Sequence, residues 1–254
     1  MTASGRRRLV LIGGAGLAAL YVWAIFGLPD FGHYRGPYGD IINRVATPER
    51  HLTDTVTGVN FDYRGFDTIN EEMILFAAVV GLTIILRAQR DEQESQGDED
   101  HARWRIAPHT SDSIRVLGLL LVGPIVLFGI YIVIHAHLSP GGGFQGGVIL
   151  ATALLHVYLA GEYVTAKRLT PEAVIEATEA TGAGGFVVIG LAGLIFARWF
   201  LENFFPLGTT GQLISAGTIP LINVSVGLAV TAGFVLILAE FMEQTVVLRR
   251  RSQT

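Results

Sequence analysis

The chain has 254 residues, of which 50% are hydrophobic and 16% charged, with a formal net charge of −4 and no cysteine. The lack of cysteine excludes disulfides, cysteine-ligated zinc, iron–sulfur clusters held by this chain and thiol catalysis. The arginines fall in short groups flanking apolar runs and form no basic stripe with interleaved aromatics, which argues against a nucleic-acid partner; apolar runs long enough to span lipid mark an integral membrane protein.

Arg6, Arg7 and Arg8 precede the apolar run Leu9 to Leu28, about 20 residues, the length that crosses roughly 30 Å of hydrocarbon as a helix. A basic start before an apolar run also describes a signal peptide. The length of the run, and Pro29 and Asp30 after it without a small-x-small cleavage site, favour a retained anchor. Gly13, Gly14 and Gly16 permit close helix packing there.

From Pro29 to Asp67 the chain is polar and rich in turns, with Gly32, Gly36, Pro37, Gly39, Pro48, Gly58 and Gly65 set to interrupt any long helix. This stretch is expected outside the bilayer, with one or two amphipathic turns over Asp40 to Val45. The second span is expected at Ile69 to Leu86. Thr68 and Glu71 have the spacing of a capping box, in which a hydroxyl and a carboxylate satisfy free amides at a helix start. Glu72 is left over: it faces a polar lumen or a partner, or sits at headgroup level stabilised by the helix dipole.

Around residues 89–110 the composition turns acidic, with Asp91, Glu92, Glu94, Asp98, Glu99 and Asp100 and almost nothing apolar, as in a solvated linker. Arg103, Trp104 and Arg105 then resemble an interfacial anchor. The linker divides a two-helix module, residues 1–88, from a four-helix module, residues 111–254. In the latter, spans are expected at Ile114 to Ile134, Phe144 to Leu159, Gly185 to about Phe200, and Ile219 to about Ala239.

The expected fold is thus all-α, a polytopic membrane protein with six transmembrane helices. Of the 18 basic residues, 13 lie before the first span, between 87 and 115, at 167–168 and at 249–251, all on one side of that arrangement; 4 lie in the long first loop on the other. The excess of positive charge puts both termini in the cytoplasm.

The turn between the third and fourth spans is the most distinctive stretch: His135 Ala136 His137 Leu138 Ser139 Pro140 Gly141 Gly142 Gly143 Phe144 Gln145 Gly146 Gly147. Pro140 stops a helix, and Gly141, Gly142 and Gly143 allow backbone angles closed to other residues. Gly143, Gly147 and Ala151 repeat every four residues, a stripe of small side chains that lets another helix come close. His135 and His137, at the end of a span, are readily solvated. His156 lies about 13 residues into its helix, roughly 20 Å deep; it is either a proton relay or a neutral ring bonded to a neighbouring helix. Arg198 and Glu202 are spaced for an ion pair at the outer end of the fifth helix, and Asn223 and Ser225 for hydrogen bonds between helices. No nucleotide loop, serine nucleophile with its base, or zinc-type spacing is present, so no catalytic group, metal or cofactor is expected.

The hairpin His137 to Gly147, together with Ile219 Pro220 Leu221 Ile222 Asn223 Val224 Ser225 Val226 Gly227 Leu228, closely resembles the MnhB-like subunit of Mrp-type multisubunit cation/proton antiporters over about residues 111–254. Val59 Asn60 Phe61 Asp62 Tyr63 Arg64 Gly65 Phe66 Asp67 Thr68 resembles the C-terminal part of the large subunit of the same antiporters, or the equivalent small subunit of membrane-bound hydrogenases. Here Glu71 and Glu72 stand together where that pattern has one glutamate. The resemblance implies two neighbouring pieces of one complex fused in a single chain. It implies an accessory, non-enzymatic subunit in a prokaryotic plasma membrane, packed beside large antiporter-like subunits and small subunits that move Na+ and H+. Asp67, Glu71, Glu72, His137 and His156 are then the ion-path candidates. Pro140, Gly141, Gly142, Gly143, Phe144, Gly146 and Gly147 are the turn and packing residues. A membrane-arm subunit of a redox-driven complex and a purely structural brace are the alternatives.

Overall fold

The computed structural model describes residues 3–28, 36–86, 111–160, 166 and 168–251, and among these every regular element is helical. The acidic stretch at 89–110, Arg103 to Arg105 and Lys167 lie outside the described residues. The chain divides into two units, Met1–Ile41 and Ile42–Thr254.

The first unit is built on α1 (Ala3–Phe26), an uninterrupted run rich in alanine, leucine and glycine whose Leu11, Ile12, Trp23 and Phe26 side chains are exposed. The second begins within α2 (Pro37–Arg50). This helix corrects the expectation of an irregular stretch with only a turn or two. Pro37 occupies its first position, where no amide hydrogen bond is lost. Ile42 and Ala46, one turn apart, are buried in the core and hold the helix together despite Pro48. Arg50 forms an ion pair with Asp62 and lies over the Tyr63 ring at 5.3 Å.

After α3 (Thr55–Gly58), Val59–Tyr63 forms a single wide π-helical turn, and α4 (Gly65–Leu86) follows. Thr68 is therefore inside the helix and is not its cap: its hydroxyl donates to the Asn60 carbonyl at 2.6 Å. The capping box expected of Thr68 and Glu71 does not form, because the wide turn before Gly65 starts the helix four residues early.

Next come α5 (Asp112–Ile134), α6 (Gly143–Leu159), α7 (Glu172–Phe196) and α8 (Ile219–Arg251). Four stretches, Gly65–Leu86, Asp112–Ile134, Ala173–Phe196 and Ile219–Phe241, are long and apolar enough to cross a membrane; Leu11–Phe26 and Gly143–Leu159 are apolar but shorter. Over half of the apolar window in α8 is buried (56%) against 17% in α4 and α5, so α8 is the helix the others pack around. Its Ile219, Ile222, Val226 and Val230 share a core with Phe61, Ile69 and Phe186.

The packing is close because small residues sit at the crossings. Side-chain carbons added at Gly143 and Gly147 would collide with Val226 and Val230 of α8, and one at Gly146 would collide with Val133 of α5. The α7–α8 pair is antiparallel: Gly182 lies on the Ser225 carbonyl and the Ala229 amide, and Gly185 on Ser225 Oγ. The outward faces carry apolar side chains, among them Ile84, Ile85, Leu120, Leu127 and Ile195, as helices in lipid require.

The α7 boundaries differ from those expected. The helix begins 13 residues before Gly185 and stops at Phe196, where Ala197 N–H donates to the Gly193 carbonyl and the chain turns away. Arg198 is thus outside the helix. Glu202 accepts the backbone amides of Arg198 and Trp199, both at 2.8 Å, in place of the expected side-chain ion pair. Its carboxylate serves the turn that reverses the chain.

Candidate functional site

Two buried polar clusters stand out, one among the helices and one where the loops meet. In the first, Glu72 on α4 is 1% exposed and Glu179 on α7 is 5% exposed. Glu72 is the eighth residue of its helix, about 10 Å from the start at 1.5 Å per residue. It shares a buried face with Thr68, Ile69 and Val79, which follows from their spacing of four, three and seven residues. Glu72 Oε2 is buried without a hydrogen-bond partner. Glu179 lies three residues after the exposed Glu176 on α7.

The third wall of this cluster is α8. A side-chain carbon added at Gly233 would stand 3.1 Å from Val79 Cγ2 and 3.4 Å from Glu179 Oε1, which puts the Glu179 carboxylate where α8 crosses Val79 of α4. A buried carboxyl with an unmatched oxygen costs folding free energy, and within a membrane helix such a residue is a functional candidate by default.

The second cluster surrounds the glycine turn. The carbonyl of His137 accepts the amides of Thr53 and Asp54 at 3.0 and 3.2 Å, and the Thr57 hydroxyl donates to the Ala136 carbonyl at 2.7 Å. Asp54 caps α3 through Thr57 N–H at 2.8 Å, which fixes the donors. His51 Nδ1 lies 2.6 Å from the Gly208 carbonyl, and Asn203 ties the last loop to itself through Ala216 and Thr218. Asn223, fully buried at the start of α8, accepts the Gly143 amide at 3.0 Å through Oδ1 and donates to the Ile219 carbonyl at 3.2 Å. Gly142 has φ +151°, a backbone angle rare for residues with side chains.

His137 is wholly buried, and neither ring nitrogen has a hydrogen-bond partner. Burial pushes the imidazole below its ordinary value of 6.5; backbone groups of Gln212 and Leu213 favour its charged form, and His135 disfavours it. The solvated ring expected from the sequence is thus corrected, because loop 51–58 closes over the turn. A depressed folded-state pKa means that an opened turn binds the proton that the closed one refuses. The stabilisation from the neutral ring is full above pH 6.5 and is lost as pH falls through the lower folded value. Thermal stability in detergent should therefore drop between about pH 8 and about pH 5.5, and the drop should shrink in His137→Gln. An equal drop in both proteins would show that His137 is not the titrating group.

The remaining candidates from the sequence lie apart from these clusters. Asp67 is exposed and pairs with Arg64, and Glu71 is exposed. His156, in the last turn of α6, is half-buried, with Nδ1 2.8 Å from the Thr152 carbonyl of its own helix. Glu179 escapes the sequence reading, because it precedes the apolar run that marks the fifth span. Its signal is a spacing: Glu172, Glu176 and Glu179 recur at one helical period in a stretch otherwise rich in alanine, threonine and glycine.

Residues 113–236 match the family described as a domain related to the MnhB subunit of Na+/H+ antiporter. An uncharacterized protein of Methanocaldococcus jannaschii is 30% identical over 211 residues, covering 76% of this chain and 78% of the relative. The chain belongs to the MnhB-related family. The B-type subunit of the Na(+)/H(+) antiporter of Bacillus subtilis is 31% identical to the MnhB-related chain over 99 residues, 38% of this chain and 67% of that one. Among solved structures, a chain of the membrane-bound sulfane sulfur reductase, an archaeal respiratory membrane complex, superposes with a TM-score of 0.69 at 29% identity, over 92% of this chain and 97% of that one. A chain of the Mrp complex from a Dietzia species superposes with a TM-score of 0.70 at 24% identity, over 94% of this chain and 26% of that one, a likeness of fold. The family is that of a transport-complex subunit, not of an enzyme.

Proposed function

We propose that this MnhB-related chain is an accessory membrane subunit of an Mrp-type cation/proton antiport assembly, and that Glu72 belongs to its ion path. Residues 1–88 form the piece related to the end of the large subunit, 89–110 the cytoplasmic linker and 111–254 the MnhB-like module. Six spans then cross the plasma membrane, the apolar stretches of α1 and α6 being the shorter two, with both termini inside. Large antiporter-like subunits and small subunits are the partners, covering part of the apolar outer faces, and Na+ and H+ are the ions moved by the whole. Asp67, paired with Arg64, and the enclosed His137 hold structure around this path, and Glu71 and His156 are its further candidates.

The observation that carries the reading is the fully buried, unpartnered carboxylate oxygen of Glu72 on an apolar helix. In vesicles containing the assembled complex, Glu72→Gln should lower cation/proton exchange on the order of a hundredfold, the scale of a lost proton-transfer group, while the subunits still copurify. Wild-type exchange in that variant would leave the chain a structural brace.

A second reading is favoured by the end-to-end match to the sulfane sulfur reductase chain. In it the same module is driven by redox chemistry elsewhere in the complex. Identification of the proteins that copurify with the tagged chain separates the two, since subunits with metal clusters would mark the redox assembly.

A further inference from the structure

We propose that the turn after α7 holds a phospholipid at the membrane boundary, with the Arg198 guanidinium on the lipid phosphate and the Trp199 indole beside it at headgroup level. The height of this turn follows from how the chain folds back. At Phe196 the helix ends, and residues 197–202 run back along it: the Leu201 amide donates to the Gly190 carbonyl at 3.0 Å. A side-chain carbon added at Gly190 would collide with the Phe200 ring, and one at Gly193 would stand 2.7 Å from the Trp199 carbonyl and 3.0 Å from the Glu202 amide. Trp199 is therefore level with Gly193, three residues and about 4.5 Å short of the helix end. Around that last turn Leu194, Ile195 and Phe196 are exposed, and the turn closes the stretch Ala173–Phe196 that is long and apolar enough to cross a membrane. Arg198 and Trp199 thus lie beside the final turn of a helix whose outward side is apolar, both of them exposed, Trp199 by 66%. Tryptophan concentrates at such a boundary because its ring is apolar and its N–H polar.

The charge selects a phosphate. The spacing of Arg198 and Glu202 fits an ion pair, yet Glu202 Oε2 is taken up by the backbone amides of Arg198 and Trp199, both at 2.8 Å. Among the described residues the ion pairs are Arg50 with Asp62 and Arg64 with Asp67, so the Arg198 guanidinium has no carboxylate of this chain. A cation beside an apolar helix end reaches for an anion or for water, and a guanidinium fits phosphate oxygens with two parallel N–H donors. The phosphate diester of a phospholipid is fixed at this height by its own acyl chains, which a free phosphate in solution is not. Glu202 has a second part in the arrangement: by tying down the two amides it fixes the backbone from which Arg198 and Trp199 project.

The test uses the assembled complex in nanodiscs of phosphatidylglycerol doped with phosphatidylglycerol that carries a photoreactive group next to the glycerol. After illumination, peptide mass spectrometry should find a lipid adduct on residues 197–202. Arg198→Gln should lose most of that adduct while labelling elsewhere on the chain is unchanged, and Arg198→Lys should keep part of it. Diluting the discs with unlabelled phosphatidylcholine should compete with the wild-type adduct, diluting them equally with a phosphate-free glycolipid should compete far less, and excess inorganic phosphate should leave it as it was. No adduct at 197–202 in the complex would overturn the proposal, and an adduct seen only on the isolated chain would show that a neighbouring subunit covers this turn. Equal labelling of wild type and Arg198→Gln, or equal competition by the glycolipid, would reduce the contact to ordinary lipid packing without recognition of phosphate. Displacement by inorganic phosphate would show a site for the free anion instead. Should Arg198→Gln fail to assemble, the competition series on the wild-type complex decides.

Discussion

Gly182→Val should leave almost no assembled protein, the largest loss expected of any single change here. A first side-chain carbon at this position would fall on backbone, at the Ala229 amide and the Ser225 carbonyl. Side chains can swing aside, but backbone inside a paired helix cannot move without parting α7 from α8. Overpacking in a core typically costs about 1–3 kcal/mol, and a backbone clash should reach or exceed the upper figure. Gly184→Val is the control. It makes the same change in helix propensity two residues on, where nothing stands within 4 Å of the added carbon. Size-exclusion profiles of fluorescently tagged variants, heated in steps, should show Gly184→Val close to wild type and Gly182→Val aggregated or absent. Equal behaviour of the two would mean that the helices do not approach as closely as described.

Asn223→Leu should be the next most damaging, and its effect should be local. Asn223 is the buried joint between α8 and the glycine turn, and its amide oxygen is the partner of the Gly143 N–H. Leucine has the same number of heavy atoms and the same branch point but no acceptor, so that amide would be left buried and unmatched at a cost of about 1–3 kcal/mol. The Ile219 carbonyl loses a donor as well. Hydrogen exchange should quicken in peptides spanning the turn and the start of α6, and stay unchanged in the middle of α7. Unaltered exchange at the turn would show that the hydrogen bond does not hold it. His137 should feel the same opening, because its enclosure depends on the turn staying seated beneath loop 51–58.

Much of the arrangement is legible in the chain alone. The apolar runs locate α4, α5 and α6 to within a few residues, and α8 at its start, because lipid-length hydrophobic stretches have few alternatives to a helix; α8 continues twelve residues past Ala239 to Arg251. The helix ends are less legible. Thr68 and Glu71 satisfy the local pattern of a cap, yet the π-helical turn at Val59–Tyr63 places the helix start at Gly65. Residues 172–184 are too polar to read as a span, yet they continue α7, because Gly182 and Gly185 let it lie against α8. That extension carries Glu179 into the interior.

Of adjacent Glu71 and Glu72, the sequence marks both as candidates and cannot choose. Residues one apart on a helix point about 100° from each other. Only the placement of α7 and α8 against one side of α4 decides that Glu72 is enclosed and Glu71 exposed.

By itself the sequence determined that this is a helical membrane protein, that its glycine turn is a tight junction, and that its family lies among antiporter subunits. These follow from local properties: hydrophobic length, the backbone freedom of glycine and the order of residues in a motif. The tertiary structure alone decided which carboxylates are enclosed, because Glu72 and Glu179 lie 107 residues apart on helices that only the fold packs together. Nothing in either helix specifies the other's rotation. That is set by the glycines of α7 and α8, which fix how near the helices come and hence which faces close over the two acids.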